Sequence, residues 1–257
     1  NKASLSGAMI GKGEYRHFME KEIHEQPAVI GDTLRALYSS ETHSVKLPAL
    51  PVDLKDVTRF TASACGTAFY ACVVGKYWME QIARVPMDVD IASEFRYREA
   101  PLAEGGVMLC VSQSGETIDT LEALRYAKRQ KQTILSIVNV PESAIARESH
   151  GVLQTLAGPE ICVASTKAFT TQLTVLAALA IETAQRRGAI DGARAARLTH
   201  ALMSAPALFA QVLAEDGRIR EVAQMLAEAR DVLYLGRGST YPIAMEGALK
   251  LKEISYV

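Results

Sequence analysis

Two sets of residues have the types and spacing to do chemistry. The first is Ser112-Gln113-Ser114-Gly115-Glu116-Thr117. It follows the apolar run Gly106-Val107-Met108-Leu109-Cys110 and precedes a stretch in which Ile118, Leu121 and Leu124 recur at helical spacing. A strand therefore runs through a hydroxyl-rich turn into a helix N-terminus. The first N–H groups of a helix lack partners within it, and the aligned peptide dipoles leave positive charge there, so the end suits a phosphate. Ser112, Ser114 and Thr117 add hydroxyls, Gln113 adds an amide, and Gly115 lets the backbone approach closely. The turn holds no Lys or Arg, unlike the phosphate loop of nucleotide triphosphatases, and this favours a phosphate monoester. The alternative is structural: Ser114 or Thr117 simply caps the helix.

The second set is Glu246, Lys250 and Glu253, at i, i+4 and i+7 on one helix face, with Ala244, Ala248 and Leu251 roughly opposite. Moving a proton between adjacent sugar carbons needs a carboxylate base near the carbons and a second group to manage the oxygens. A Glu/Lys/Glu face supplies both, although the same spacing also describes a solvated ion-pair face.

The elements that must position these groups alternate. A strand is expected over Val57 to Ala64, a helix over Thr67 to Ala83 and a strand over Met87 to Ile91. Further strands fall at 107 to 112, Thr133 to Val138 and Val152 to Leu156, with helices to about Arg129 and near Ala144. Alternation of this kind predicts an α/β fold with a parallel sheet between helices, which takes ligands outside the carboxyl ends of its strands. Two further turns share that end. Ala64-Cys65-Gly66-Thr67 joins strand to helix, with Cys65 either a thiol of lowered pKa or a small residue valued for its backbone. Cys162-Val163-Ala164-Ser165-Thr166-Lys167 precedes a long helix, Ala168 to Arg186, which Ser165 or Thr166 is placed to cap.

Ahead of the alternation, residues 1–13 read as a linker and 14–56 as a helical lead-in, with one helix ending before Pro27 and a second over Ala28 to Leu37. Residues 57–190 form the first α/β domain. Helical segments over about Ala193 to Leu213 and Ile219 to Arg230 then lead to a strand at Val232 to Leu235 and the turn Gly236-Arg237-Gly238-Ser239-Thr240-Tyr241. This turn repeats the pattern of Ala64 to Phe69, so 191–257 holds connecting helices and the start of a second, truncated unit. Gly236-x-Gly238 lacks the third glycine of a dinucleotide fingerprint.

Composition narrows the classes. The 257 residues carry 28 Lys plus Arg against 29 Asp plus Glu, with no basic run, so nucleic acid is not an expected partner. No apolar stretch is long enough for a membrane span. Cys65, Cys72, Cys110 and Cys162 show no zinc or redox spacing, no metal is expected, and reduced thiols imply a cytoplasmic protein. The chain begins at Asn1 and stops within a helical pattern, so a longer native polypeptide is expected.

Several blocks, in order, carry a resemblance. Tyr15 to Pro27 (YRHFMEKEIHEQP), Ser93 to Arg98 (SEFRYR), Ser112 to Thr117 (SQSGET), Val163 to Gln172 (VASTKAFTTQ) and Glu246 to Tyr256 (EGALKLKEISY) resemble the isomerase part of the glucosamine-6-phosphate synthase family, the isomerising glutamine:fructose-6-phosphate aminotransferases. The resemblance implies the sugar isomerase (SIS) fold: two similar flavodoxin-like domains. It implies a hexose 6-phosphate whose phosphate meets Ser112, Gln113, Ser114 and Thr117, and whose sugar meets Cys65, Gly66, Thr67, Val163 and Ser165. It makes Glu253 the base between C1 and C2, Lys250 a partner for oxygen-bound protons and Glu246 an orienting carboxylate, with no metal or organic cofactor. It also implies a homodimer and a glutaminase domain in the same native chain. Three departures accompany it: Ala68 replaces the usual Ser beside the phosphate, the glutaminase domain with its nucleophilic Cys is absent, and so is the portion bearing the ring-opening His and the Schiff-base Lys. This chain alone is therefore not expected to complete a turnover. A non-catalytic phosphosugar sensor, and a phosphosugar deglycase or isomerase of the same fold, are the alternatives.

Overall fold

The computed structural model describes residues 11–255. Most of the linker expected over 1–13 lies outside that range.

The lead-in is one helix, α1 (Phe18–Ala36), where two were expected. Proline inside a helix removes one hydrogen bond and crowds the preceding turn. Here Gln26 Nε2 donates to the Ile23 carbonyl at 3.0 Å, and this is the acceptor that Pro27 leaves without its usual N–H. Burial of Ile30 and Leu34 on the same helix outweighs the local penalty. A short hairpin, β1 (Tyr38–Ser39) and β2 (Ser44–Val45), follows.

The main sheet consists of β3 (Phe60–Ala64), β4 (Met87–Ile91), β5 (Val107–Ser112), β6 (Thr133–Val138) and β7 (Gly151–Gln154). Its order is β4-β3-β5-β6-β7 and every pairing is parallel. That is the flavodoxin-like order, in which the chain reverses direction across the sheet between β3 and β5. Side chains alternate between two buried layers, as period-two geometry requires. Phe60, Ala62, Val107, Leu109, Leu135 and Ile137 face one layer, while Met108, Cys110, Ile134 and Val138 face the other. The first layer is closed by α2 (Gly66–Trp78), which ends in a π-helical turn over Met79–Ala83, and by α6 (Lys167–Arg186). The second is closed by α3 (Ala92–Arg98), α4 (Ile118–Arg129) and α5 (Ala144–Glu148). The helix α3 falls on the SEFRYR block, where alternation alone predicted no element.

Beyond α6 come α7 (Gly192–Met203), α8 (Ala205–Leu213), α9 (Asp216–Leu226) and α10 (Thr240–Ser255). The strand expected at Val232 to Leu235 does not form. A strand exists by pairing its backbone with a neighbour, and no described strand lies beside this segment, whose Leu233 and Leu235 are exposed. The repeat of the β3–α2 pattern is thus realised in its turn and helix, not in its strand.

Candidate functional site

The turn after β5 is built to be rigid. Ser112, nearly fully buried, accepts a hydrogen bond on Oγ from Gly115 N (3.0 Å), and its hydroxyl pairs with that of Thr117 (2.9 Å). Ser114 Oγ accepts from Glu116 N, and Glu116 Oε1 in turn accepts from Ala144 N at the start of α5. Gly115 is required by sterics twice over. Its φ is +66°, and a Cβ there would lie 1.9 Å from Ser143 Oγ. Thr117 is the N-cap residue of α4, yet neither its hydroxyl nor that of Ser114 caps that helix. The capping alternative therefore does not account for these hydroxyls.

The turn after β3 lies across the point where the sheet reverses. Gly66 opens α2 at φ +54°. Cys65 is half-buried, and burial pushes its thiol up against the opposing hydrogen bond from the Ser93 backbone, so it is not a thiol of lowered pKa. Thr67 is the pivot. Its hydroxyl donates to Glu246 Oε1 at 2.9 Å and accepts from Lys250 Nζ at 2.8 Å. Lys250 Nζ also donates to Glu253 Oε2 at 2.5 Å. The result is a continuous chain, Glu253–Lys250–Thr67–Glu246, joining α10 to α2.

This chain sets Glu246 and Lys250 against α2, so the Glu/Lys/Glu face is not a fully solvated ion-pair face. Glu246 and Pro242 are the buried residues of α10 and Lys250 is half-buried, while Glu253 and Ala248 are exposed. Burial holds the Glu246 carboxyl above the usual range, while Lys250 and Thr67 pull it back. Its Oε2 has no hydrogen-bond partner among the described residues.

A third wall comes from the segment before α6. Glu160 accepts from Ser165 Oγ (2.7 Å), Thr166 N (2.9 Å) and Ala168 N (3.2 Å), so a carboxylate rather than the expected Ser165 or Thr166 hydroxyl caps this helix. Buried Glu22 of α1 accepts from Ile161 N and Cys162 N and ties the same segment to the lead-in helix.

The three walls enclose one cleft of about 280 Å³. It is lined by Cys65, Thr67, Ser112, Gln113, Ser114, Thr117, Val163, Ser165, Lys250 and Glu253, all singled out from sequence, together with Ala68, Val111 and Gln172. Gly66 and Glu246 do not line it; Gly66 sets the backbone of α2, and Glu246 acts on the cleft through Thr67. Glu22 and Glu160 had no local signal: each is one acid among many until the fold sets backbone N–H groups against it. No His, Cys, Asp and Glu among the described residues group in a way that could hold a metal ion.

Residues 53–182, about half of the chain, match the family described as SIS domain. The chain belongs to the SIS domain family. This SIS chain is 54% identical over 257 residues to a glutamine–fructose-6-phosphate aminotransferase (isomerizing) of Bradyrhizobium diazoefficiens and 55% identical over 256 residues to one of Brucella abortus. Each match covers 100% of this chain and 42% of the relative, so the chain spans less than half the length of these curated relatives. Among solved structures, the C-terminal domain of glucosamine-fructose-6-phosphate aminotransferase from Francisella tularensis superposes with a TM-score of 0.91 at 41% identity, covering 96% of this chain and 70% of that one. The sheet order and its flanking helices are those of the SIS fold.

Proposed function

We propose that this chain is the sugar-phosphate-binding isomerase portion of an enzyme that converts fructose 6-phosphate and ammonia into glucosamine 6-phosphate. The observation that carries the reading is Lys250, held between Thr67 and Glu253 on the wall of a cleft that also presents the hydroxyl-rich turn. Ser112, Gln113, Ser114 and Thr117 hold the phosphate by neutral donors at the start of α4. Cys65, Gly66, Thr67, Val163 and Ser165 frame the sugar. Glu253 takes a proton from C1 of the ketose imine and returns it to C2, Lys250 handles the proton of the neighbouring oxygen, and Glu246 orients both through Thr67. This chemistry calls on neither a metal nor an organic cofactor.

The names of the 54–55% identical relatives support the substrate and the reaction. A non-catalytic phosphosugar sensor has no use for a carboxylate–lysine–carboxylate chain on the wall of its cleft. In the native enzyme the ammonia comes from glutamine through a glutaminase domain of the same polypeptide, the subunits pair as homodimers, and the protein works in the cytoplasm. No described helix is long and apolar enough to cross a membrane.

The test gives a full-length version fructose 6-phosphate and ¹⁵N-ammonia and follows the product by NMR. Glucosamine 6-phosphate is expected, with Glu253→Gln abolishing exchange of the C1/C2 proton with solvent. Absence of the amino sugar sinks the reaction, and persistent exchange in the variant removes Glu253 from the base role.

A further inference from the structure

Gln172 lies in the second turn of α6 and closes the block Val163 to Gln172, whose resemblance assigns it no role. Its side chain is nearly fully buried, yet it lines the cleft. Its Oε1 is sealed from solvent with no donor to satisfy it among the described residues. Amides buried in a helix-packed layer ordinarily find partners, because an unsatisfied polar group loses its hydration without compensation. Most of the other orphaned side-chain atoms belong to core positions away from the cleft. The two that share the cleft are both amide oxygens, those of Gln172 and Gln113, one from α6 and one from the turn after β5.

An ionised phosphate brings acceptors and meets an amide only through its nitrogen, the part proposed for Gln113 in the turn at the start of α4; it leaves an amide oxygen unsatisfied. A hydroxyl can satisfy that oxygen, because it donates and accepts, and a half-turn of the amide about its last torsion presents either its oxygen or its nitrogen. Gln172 also rises from the same wall as Val163 and Ser165, opposite in origin to the phosphate turn. We propose that Gln172 is a substrate-binding residue that hydrogen-bonds a sugar hydroxyl, so that this cleft selects polyhydroxy phosphate esters over phosphate alone. The inference rests on the phosphosugar reading above and adds to it a further group that reads the sugar rather than the ester.

The experiment compares wild type with Gln172→Met, a nearly isosteric change that deletes the amide, by calorimetry with fructose 6-phosphate and by NMR titration with inorganic phosphate, alongside thermal melting without ligand. Roughly fivefold to tenfold weaker binding of fructose 6-phosphate is expected, with inorganic phosphate unchanged. The melting temperature is expected to hold or rise, because an unsatisfied buried group has been removed. A structural role moves these readouts the other way. Unchanged sugar-phosphate binding, an equal loss for inorganic phosphate, or a lower melting temperature overturns the role of Gln172 while leaving the phosphosugar reading in place. A wild type that binds no hexose 6-phosphate overturns both.

Discussion

At the residue scale the site depends on which atoms are already engaged. Ser112 and Ser114 each accept a backbone N–H, and this aims their lone pairs inward while leaving the hydroxyl hydrogens to be shared or donated. Ser112→Ala with Ser114→Ala is expected to weaken binding of fructose 6-phosphate by about tenfold or more in calorimetry, with the circular dichroism of the fold unchanged. Unchanged affinity would place the phosphate elsewhere. Glu246 gives a prediction in pH. Its folded-state carboxyl is raised above the ordinary range by burial, so folding favours the protonated form. That contribution is present at pH below the ordinary carboxylate value and is lost as pH rises through the raised one. Glu246→Gln copies the neutral form. Its stability relative to wild type should therefore increase from about pH 4 to about pH 7, which paired melting curves will show. A pH-independent difference would contradict the burial argument.

At the scale of elements, each cleft wall is anchored by a contact from another part of the chain. The turn after β5 is braced by α5, α10 is bound to α2 through Thr67, and the segment before α6 is held by Glu160 and by Glu22 of α1. Glu160 replaces a hydroxyl cap with a charged one that satisfies the backbone N–H groups of the N-cap residue Thr166 and of Ala168 in the first turn of α6. Glu160→Ala is expected to cost about 1–2 kcal/mol in denaturant unfolding and to raise amide exchange in residues 161–168. Exchange unchanged there would mean that Glu22 alone holds the segment. The same scale explains Pro27. Sequence rules end a helix before proline, but a side-chain donor at Gln26 and a buried face beyond it carry α1 through.

At the scale of the whole molecule, burial is uneven. The sheet and its two layers are closed, whereas no residue of α8 or α9 is buried, and Leu208, Val212, Val222, Met225, Leu233 and Leu235 are exposed. Exposed apolar side chains offer contact sites to a hydrophobic dye. The chain is expected to enhance the fluorescence of a hydrophobic dye, and Leu233→Ser with Leu235→Ser should reduce the signal. A dye response equal to that of a fully closed domain would show that these side chains are covered in solution.

The sequence by itself determined the parallel α/β class and its three strand-end turns, because period-two and period-3.6 patterns, with glycine at tight turns, are local signals. Gly115 belongs here in part: the turn marks it for close approach of the backbone, and the structure adds its φ of +66°. The resemblance of five short blocks then named the ligand class and assigned roles to Thr67, Lys250 and Glu253. What only the tertiary structure decided was which polar atoms meet. The spacing of Glu246, Lys250 and Glu253 describes a solvated face as well as a catalytic one, and only the tertiary structure sets Glu246 and Lys250 against Thr67, far away in sequence. Glu22, Glu160 and Gln172 had no local pattern because their significance is a backbone N–H set against them or the lack of a partner. The missing strand at 232–235 follows the same physics: its propensity is local, but its hydrogen bonds require a neighbour that only tertiary structure can supply.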